Sequence, residues 1–147
     1  GVPWSYRKLK SEISMMKIGD SLPEVIRDVT NEVVSLYASA SGDFNPLHTD
    51  PVFASSTHYG RTVAHGMLVL AYVSDMMARA FGNSWFNNGQ MRVRFRLPVY
   101  IPSRVSTFGL IKEVTNKNGS LVVKCSIGCK NENDEEVING EASVTME

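Results

Sequence analysis

Two hydrophobic rhythms divide this chain. Between about residues 30 and 82 the apolar residues recur mainly at helical spacing, and from Gln90 onward they alternate, with Met91, Val93, Phe95 and Leu97 separated by Arg92, Arg94 and Arg96. Val33, Val34, Tyr37, Ala38 and Ser41 predict a helix of about three turns, N-capped by Thr30, with Glu32 in its first turn and Gly42 as its stop. A second short helix is expected from about Asp50 to Ser55, where Asp50 can cap and Pro51 suits the first helical position. After a polar loop over Ser55 to Arg61, Leu68 to Phe81 predicts a longer helix that ends at Gly82. Met67, Leu68, Leu70, Ala71, Tyr72, Val73, Met76, Met77 and Phe81 almost encircle it, as expected of a helix buried on most sides.

The alternating half predicts further strands over Val105 to Val114, Leu121 to Lys130 and Val137 to Met146, with hairpin turns at Asn118-Gly119 and Asn133-Asp134. Long strands following one nearly all-apolar helix imply a sheet wrapped around that helix, an α+β arrangement in which each buries the other's hydrophobic surface. Residues Gly1 to Ser14 show no sustained period and are expected to form an extension, with Trp4 able to tack it down, so that the domain proper spans 15–147. Gly1 in place of an initiator Met fits a processed, trimmed or tag-scarred start, with Met15 or Met16 as the alternative native beginning.

A chain of 147 residues, 43% hydrophobic and 20% charged, is enough for one domain with a real core and cramped for two. Its 15 basic and 15 acidic side chains produce no global field to attract nucleic acid or an anionic membrane. The longest apolar runs, such as Met67 to Val73, fall short of a membrane span, and no cleavable signal opens the chain, so a cytoplasmic location is expected. Cys125 and Cys129 share one expected strand, where four residues span roughly 13 Å. A disulfide needs Cα atoms about 4.4 to 6.8 Å apart, so both cysteines are expected to be core residues.

The chemistry concentrates in Ser41-Gly42-Asp43-Phe44-Asn45-Pro46-Leu47-His48, just past the first helix. Gly42 and Pro46 turn the backbone and can bring Asp43, Asn45 and His48 towards one point. A carboxylate, an imidazole and an amide held together are parts for acid-base chemistry on water. His65 precedes the long helix and reads as a structural histidine at its start, while His58 reads as solvated.

These residues resemble the MaoC-like family of (R)-specific enoyl-CoA hydratases and hydroxyacyl dehydratases, which have the hot-dog fold. The likeness rests on Tyr37-Ala-Ser-Ala-Ser-Gly-Asp-Phe-Asn-Pro-Leu-His48 with Asp50 and Phe53-Ala54, and on Ala64-His-Gly-Met-Leu68. It continues in Arg94-Phe-Arg-Leu-Pro-Val99 and, weakly, in Gly140-Glu-Ala142. The chain departs from many relatives at Ile101-Pro102-Ser103-Arg104, where they carry a Gly-Asp pair.

The resemblance implies reversible addition of water to a trans-2-enoyl thioester of coenzyme A or acyl carrier protein, with no metal or other cofactor. Asp43 and His48 would activate the water, Asn45 would orient it, and the Gly66 N–H would receive the thioester oxyanion. Ser74 is a secondary candidate at a position where similar hydratases carry a serine. Arg92, Arg94 and Arg96 can anchor the phosphates of coenzyme A or an acidic carrier, although a solvated face is their ordinary reading; Met77 can line an acyl tunnel, or simply the core. Relatives are usually homodimers joined edge to edge, with a higher oligomer or heterodimer as alternatives. The rival readings are a non-catalytic hot-dog subunit that supports a partner or binds acyl thioesters, and a hot-dog thioesterase.

Overall fold

The structure, a computed structural model, describes residues 16–147; the extension expected over residues 1–14, Trp4 included, lies outside them. Thr30 begins helix α1 (Asn31–Ser41), its side chain accepting the Val33 amide at 3.3 Å. Gly42 ends it with φ 77, a left-handed conformation that costs glycine little. Two short helices follow, α2 (Pro46–Thr49) and α3 (Pro51–Ser55), each opened by a proline and capped by the preceding Asn45 or Asp50. Helix α4 (Gly66–Phe81) starts two residues earlier than its apolar run, and α5 (Asn83–Asn88) follows directly.

Strands β1 (Ile26–Val29), β2 (Gly89–Phe95), β3 (Ser103–Lys117), β4 (Ser120–Asn131) and β5 (Glu136–Thr145) form one antiparallel sheet in the order β1-β3-β4-β5-β2. Both expected hairpin turns are present, with positive φ at Asn118, Gly119 and Asp134. Register shifts at Ile111/Glu113 and Cys129/Lys130 mark bulges, which bend strands and increase their twist. The sheet wraps α4, the hot-dog arrangement expected from the sequence.

Phe81, Met76 and Met77 of α4 are wholly buried, each contributing about 1.5 to 3 kcal/mol through burial. They meet Ile111, Ile127 and Val144 in one apolar cluster. Met77 is thus a core residue, in line with the blander of its two readings. Cys125 and Cys129 are free and buried in the same cluster, and burial pushes their thiols up to about 11 and about 12.

One expectation needs correction, and two elements lie beyond what the pattern predicts. Helix α4 is buried on one face only: Met67 is 59% exposed, and Gly66 and Ala71 are exposed beside it. Strand β1 and helix α5 were not foreseen, since the first is four residues long and the second is held by a tertiary bond, Trp85 Nε1–H to Ser74 Oγ at 3.0 Å. The backbone turns after Gly42 as expected, and Pro46–Thr49 within that turn forms one short helix.

Candidate active site

Asp43, Asn45 and His48 come together through local backbone bonding. The Asp43 amide donates to Ser41 Oγ, and Asp43 Oδ1 accepts the Asn45 amide at 3.2 Å, an Asx turn that fixes the carboxylate. Asn45 Oδ1 then accepts the Leu47 amide at 3.0 Å and caps α2. Its carbonyl oxygen is thus held in the cap, and its NH₂ group is available to orient a water or a carboxylate.

One turn on, His48 is locked to the neighbouring segment. Its Nδ1 lies 2.5 Å from the Val63 carbonyl oxygen, and the Val63 amide donates to the Leu47 carbonyl. A carbonyl oxygen only accepts, so Nδ1 carries the proton and Nε2 of the neutral ring is the acceptor. That Nε2 faces Asp43 Oδ2 at 4.0 Å, with the Asp43 side chain half exposed and the His48 side chain largely buried.

His65 stands behind both. It is buried, its Nε2–H donates to the Asp43 backbone carbonyl at 3.0 Å, and its ring lies 3.8 Å from that of His48 with the planes inclined by 30°. Tyr37 meets the same ring edge-on at 4.8 Å. Donor atoms of Asp43, His48 and His65 lie within 4.8 Å of one another, a spacing compatible with a metal ion. His65 Nε2, however, is already engaged with the Asp43 backbone carbonyl, so in these tautomers only His48 Nε2 and Asp43 Oδ2 face each other with free lone pairs, a poor donor set.

Gly66 opens α4, so its N–H belongs to the first turn, where amides lack intrahelical partners and the helix dipole is positive. The preceding His65 offers no side-chain cap. Gly66 and His48 line one cavity of about 340 Å³, walled by Tyr59, Val69, Phe95 and Ile138. A Cβ on Gly66 would lie 3.0 Å from Phe95 Cε1, so the absent side chain keeps this approach open.

The remaining candidates separate. Arg96 lines that cavity and donates to Asn139 Oδ1 at 3.1 Å. Arg92 lines a different cavity, beside Lys124 and Glu141, and Arg94 is exposed and lines neither. Ser74 accepts the Trp85 indole N–H, an engagement with α5 rather than with Asp43 or His48. Tyr59 and Phe95 as cavity walls were not foreseen; Tyr59 sits in a polar loop, and Phe95 reads from its alternation as sheet core.

The model of the MaoC-like domain matches residues 16–133. A mitochondrial 3-hydroxyacyl-[acyl-carrier-protein] dehydratase of Arabidopsis thaliana is 32% identical over 136 residues, 90% of this chain and 79% of that protein. An (R)-specific enoyl-CoA hydratase of Aeromonas caviae is 38% identical over 74 residues, 50% of this chain and 54% of that one. Among solved structures, an unliganded (R)-hydratase of Pseudomonas aeruginosa superposes with a TM-score of 0.78 at 25% identity, covering 91% of this chain and 84% of the other.

Proposed function

The chain belongs to the MaoC-like dehydratase family, and from that membership we propose that it interconverts trans-2-enoyl and (3R)-3-hydroxyacyl thioesters by adding or removing water. The observation that carries this reading is the facing pair, Asp43 Oδ2 and His48 Nε2 at 4.0 Å. A water hydrogen-bonded at about 2.8 Å to each spans that gap.

In the hydration direction the water oxygen bonds to the β-carbon and a proton goes to the α-carbon. His48 Nε2, the free acceptor, takes the water proton while Asp43 orients the water, and the pair delivers a proton to carbon; acid-base catalysis of this kind contributes about 10²- to 10⁴-fold. Negative charge that builds on the thioester oxygen meets the Gly66 N–H at the head of α4. The Asn45 NH₂ group orients the water or the carboxylate. These steps rest on carboxylate, imidazole and amide groups, so the proposed reaction needs no metal or redox cofactor.

The acyl group is assigned to the cavity of about 340 Å³ that His48 and Gly66 share. Arg96, at the same cavity, is the arginine best situated to meet a phosphate of coenzyme A or of a carrier protein's prosthetic arm. A homodimer is part of the proposal. Among the described strands β2 pairs only with β5 and leaves an edge, and Met67, Phe95 and Leu97 are exposed apolar residues on or near it, a combination suited to a second copy. No helix of the described residues is long and apolar enough to cross a membrane; the proposal keeps the expected cytoplasmic site of action, although one relative is named as mitochondrial.

The test is turnover of a trans-2-enoyl-CoA. Bleaching of the enoyl absorbance with formation of the (3R) alcohol, and no release of free thiol, is expected. Thiol release without bleaching would indicate a thioesterase instead.

A further inference from the structure

We propose that His65 is a positioning residue that sets the distance between Asp43 and His48, an inference that rests on the acid-base reading of that pair. One imidazole touches both: its Nε2–H holds the Asp43 backbone carbonyl at 3.0 Å, and its face lies against the His48 ring at 3.8 Å. Tyr37 also packs against the His65 ring, at 4.8 Å, so the ring has two aromatic neighbours.

The His65 side chain does not serve the helix that it precedes. It stands at the N-cap of α4, where Ser, Thr, Asp or Asn would bond the first turn, yet its side chain makes no capping bond. It reaches instead across 22 residues of sequence to Asp43. Its other nitrogen, Nδ1, is buried without a hydrogen-bond partner. An orphaned buried polar atom is unfavourable and uncommon, and an apolar ring of the same shape would avoid it.

The orphan also defines what His65 does not do. With Nε2–H committed to the Asp43 backbone carbonyl and no partner at Nδ1, His65 has no hydrogen-bonded route along which to pass a proton. It does not line the cavity that His48 and Gly66 share, so its effect on the reaction passes through Asp43 and His48.

Two substitutions divide its contacts. His65→Gln keeps an N–H for the Asp43 carbonyl and loses the ring, whereas His65→Phe keeps the ring and loses the donor. His65→Phe is expected to lower kcat about 10- to 100-fold, the scale of a misplacement near 1 Å, with KM within about twofold of wild type. His65→Gln is expected to recover most of that loss. Equal losses in the two variants, or wild-type kcat in His65→Phe, would overturn the proposal.

If neither variant folds, ring ¹⁵N shifts of the wild type decide: a proton on Nε2 of neutral His65 supports the assignment, and one on Nδ1 refutes it. Asp43→Asn and His48→Ala are measured alongside. Full activity in either defeats the acid-base reading itself, while collapse of both with an unaffected His65→Phe defeats only the role given to His65.

Discussion

The Nδ1–H of His48 is committed to the carbonyl oxygen of Val63, so the nitrogen that faces Asp43 is the one free to receive a proton. A backbone acceptor thus sets the tautomer of the proposed base, as is common for functional histidines. Ring ¹⁵N spectra should show neutral His48 protonated at Nδ1 and neutral His65 at Nε2, opposite tautomers in two stacked rings. The same tautomer in both would contradict this arrangement.

Gly66 allows the oxyanion donor to be removed without breaking its helix. It occupies the first position of α4, where proline is favoured, and His65 before it is already extended at φ −60 and ψ 130, as a residue preceding proline must be. Gly66→Pro should therefore leave helical content unchanged and lower kcat by about 10²- to 10³-fold, the usual effect of losing one such donor. Gly66→Ala keeps the N–H but sets a Cβ 3.0 Å from the half-exposed Phe95 ring, so a smaller loss is expected. Equal losses would assign the effect to crowding rather than to the donor.

Ser74 separates packing from chemistry. Ser74→Ala leaves the Trp85 indole N–H, in a residue 7% exposed, without its partner. An unfolding free energy lower by about 1 to 3 kcal/mol is expected, with kcat within a few-fold of wild type at a temperature where the variant is folded. A large fall in kcat without loss of stability would restore Ser74 to the catalytic group.

Cys125 and Cys129 give stability a pH dependence with a definite sign. Folded thiols raised to about 11 and about 12, against an ordinary value of 9.0, keep their protons where the unfolded chain has lost its own. Their contribution is complete below pH 9 and declines as pH rises through 11 and 12. Replacing both with Ala should flatten the alkaline limb of a denaturation series. At neutral pH the native thiols should resist alkylation and react only after unfolding.

Local chemistry was the most legible part of this sequence. Thr30, Gly42, Asp50-Pro51 and Asn118-Gly119 mark their boundaries because each acts through its own neighbours. Strand β1 was invisible because Ile26 to Val29 alternates too briefly, and its pairing with Ser103 to Ser106 is set by distant sequence. Helix α5 was invisible because its residues, Asn83 to Asn88, are weak helix formers held in place through Trp85.

At the candidate site, Asp43, Asn45 and His48 stand out in the sequence by type and spacing, whereas Gly66 enters through the family resemblance. The Val63 carbonyl does not stand out, since a backbone acceptor leaves no trace in residue identity, and the link between His65 and Asp43 depends on how two segments cross. Phe95 and Met67 are apolar in sequence and exposed in the fold; hydrophobicity marks them for burial without saying against what.

The central claim is that Asp43 and His48 together activate water for a thioester, and hydration of a trans-2-enoyl-CoA by wild type, Asp43→Asn and His48→Ala tests it most directly. The account predicts (3R)-3-hydroxyacyl-CoA from wild type and a rate lower by about 10²- to 10⁴-fold in each folded variant. Wild-type turnover by either variant would contradict it.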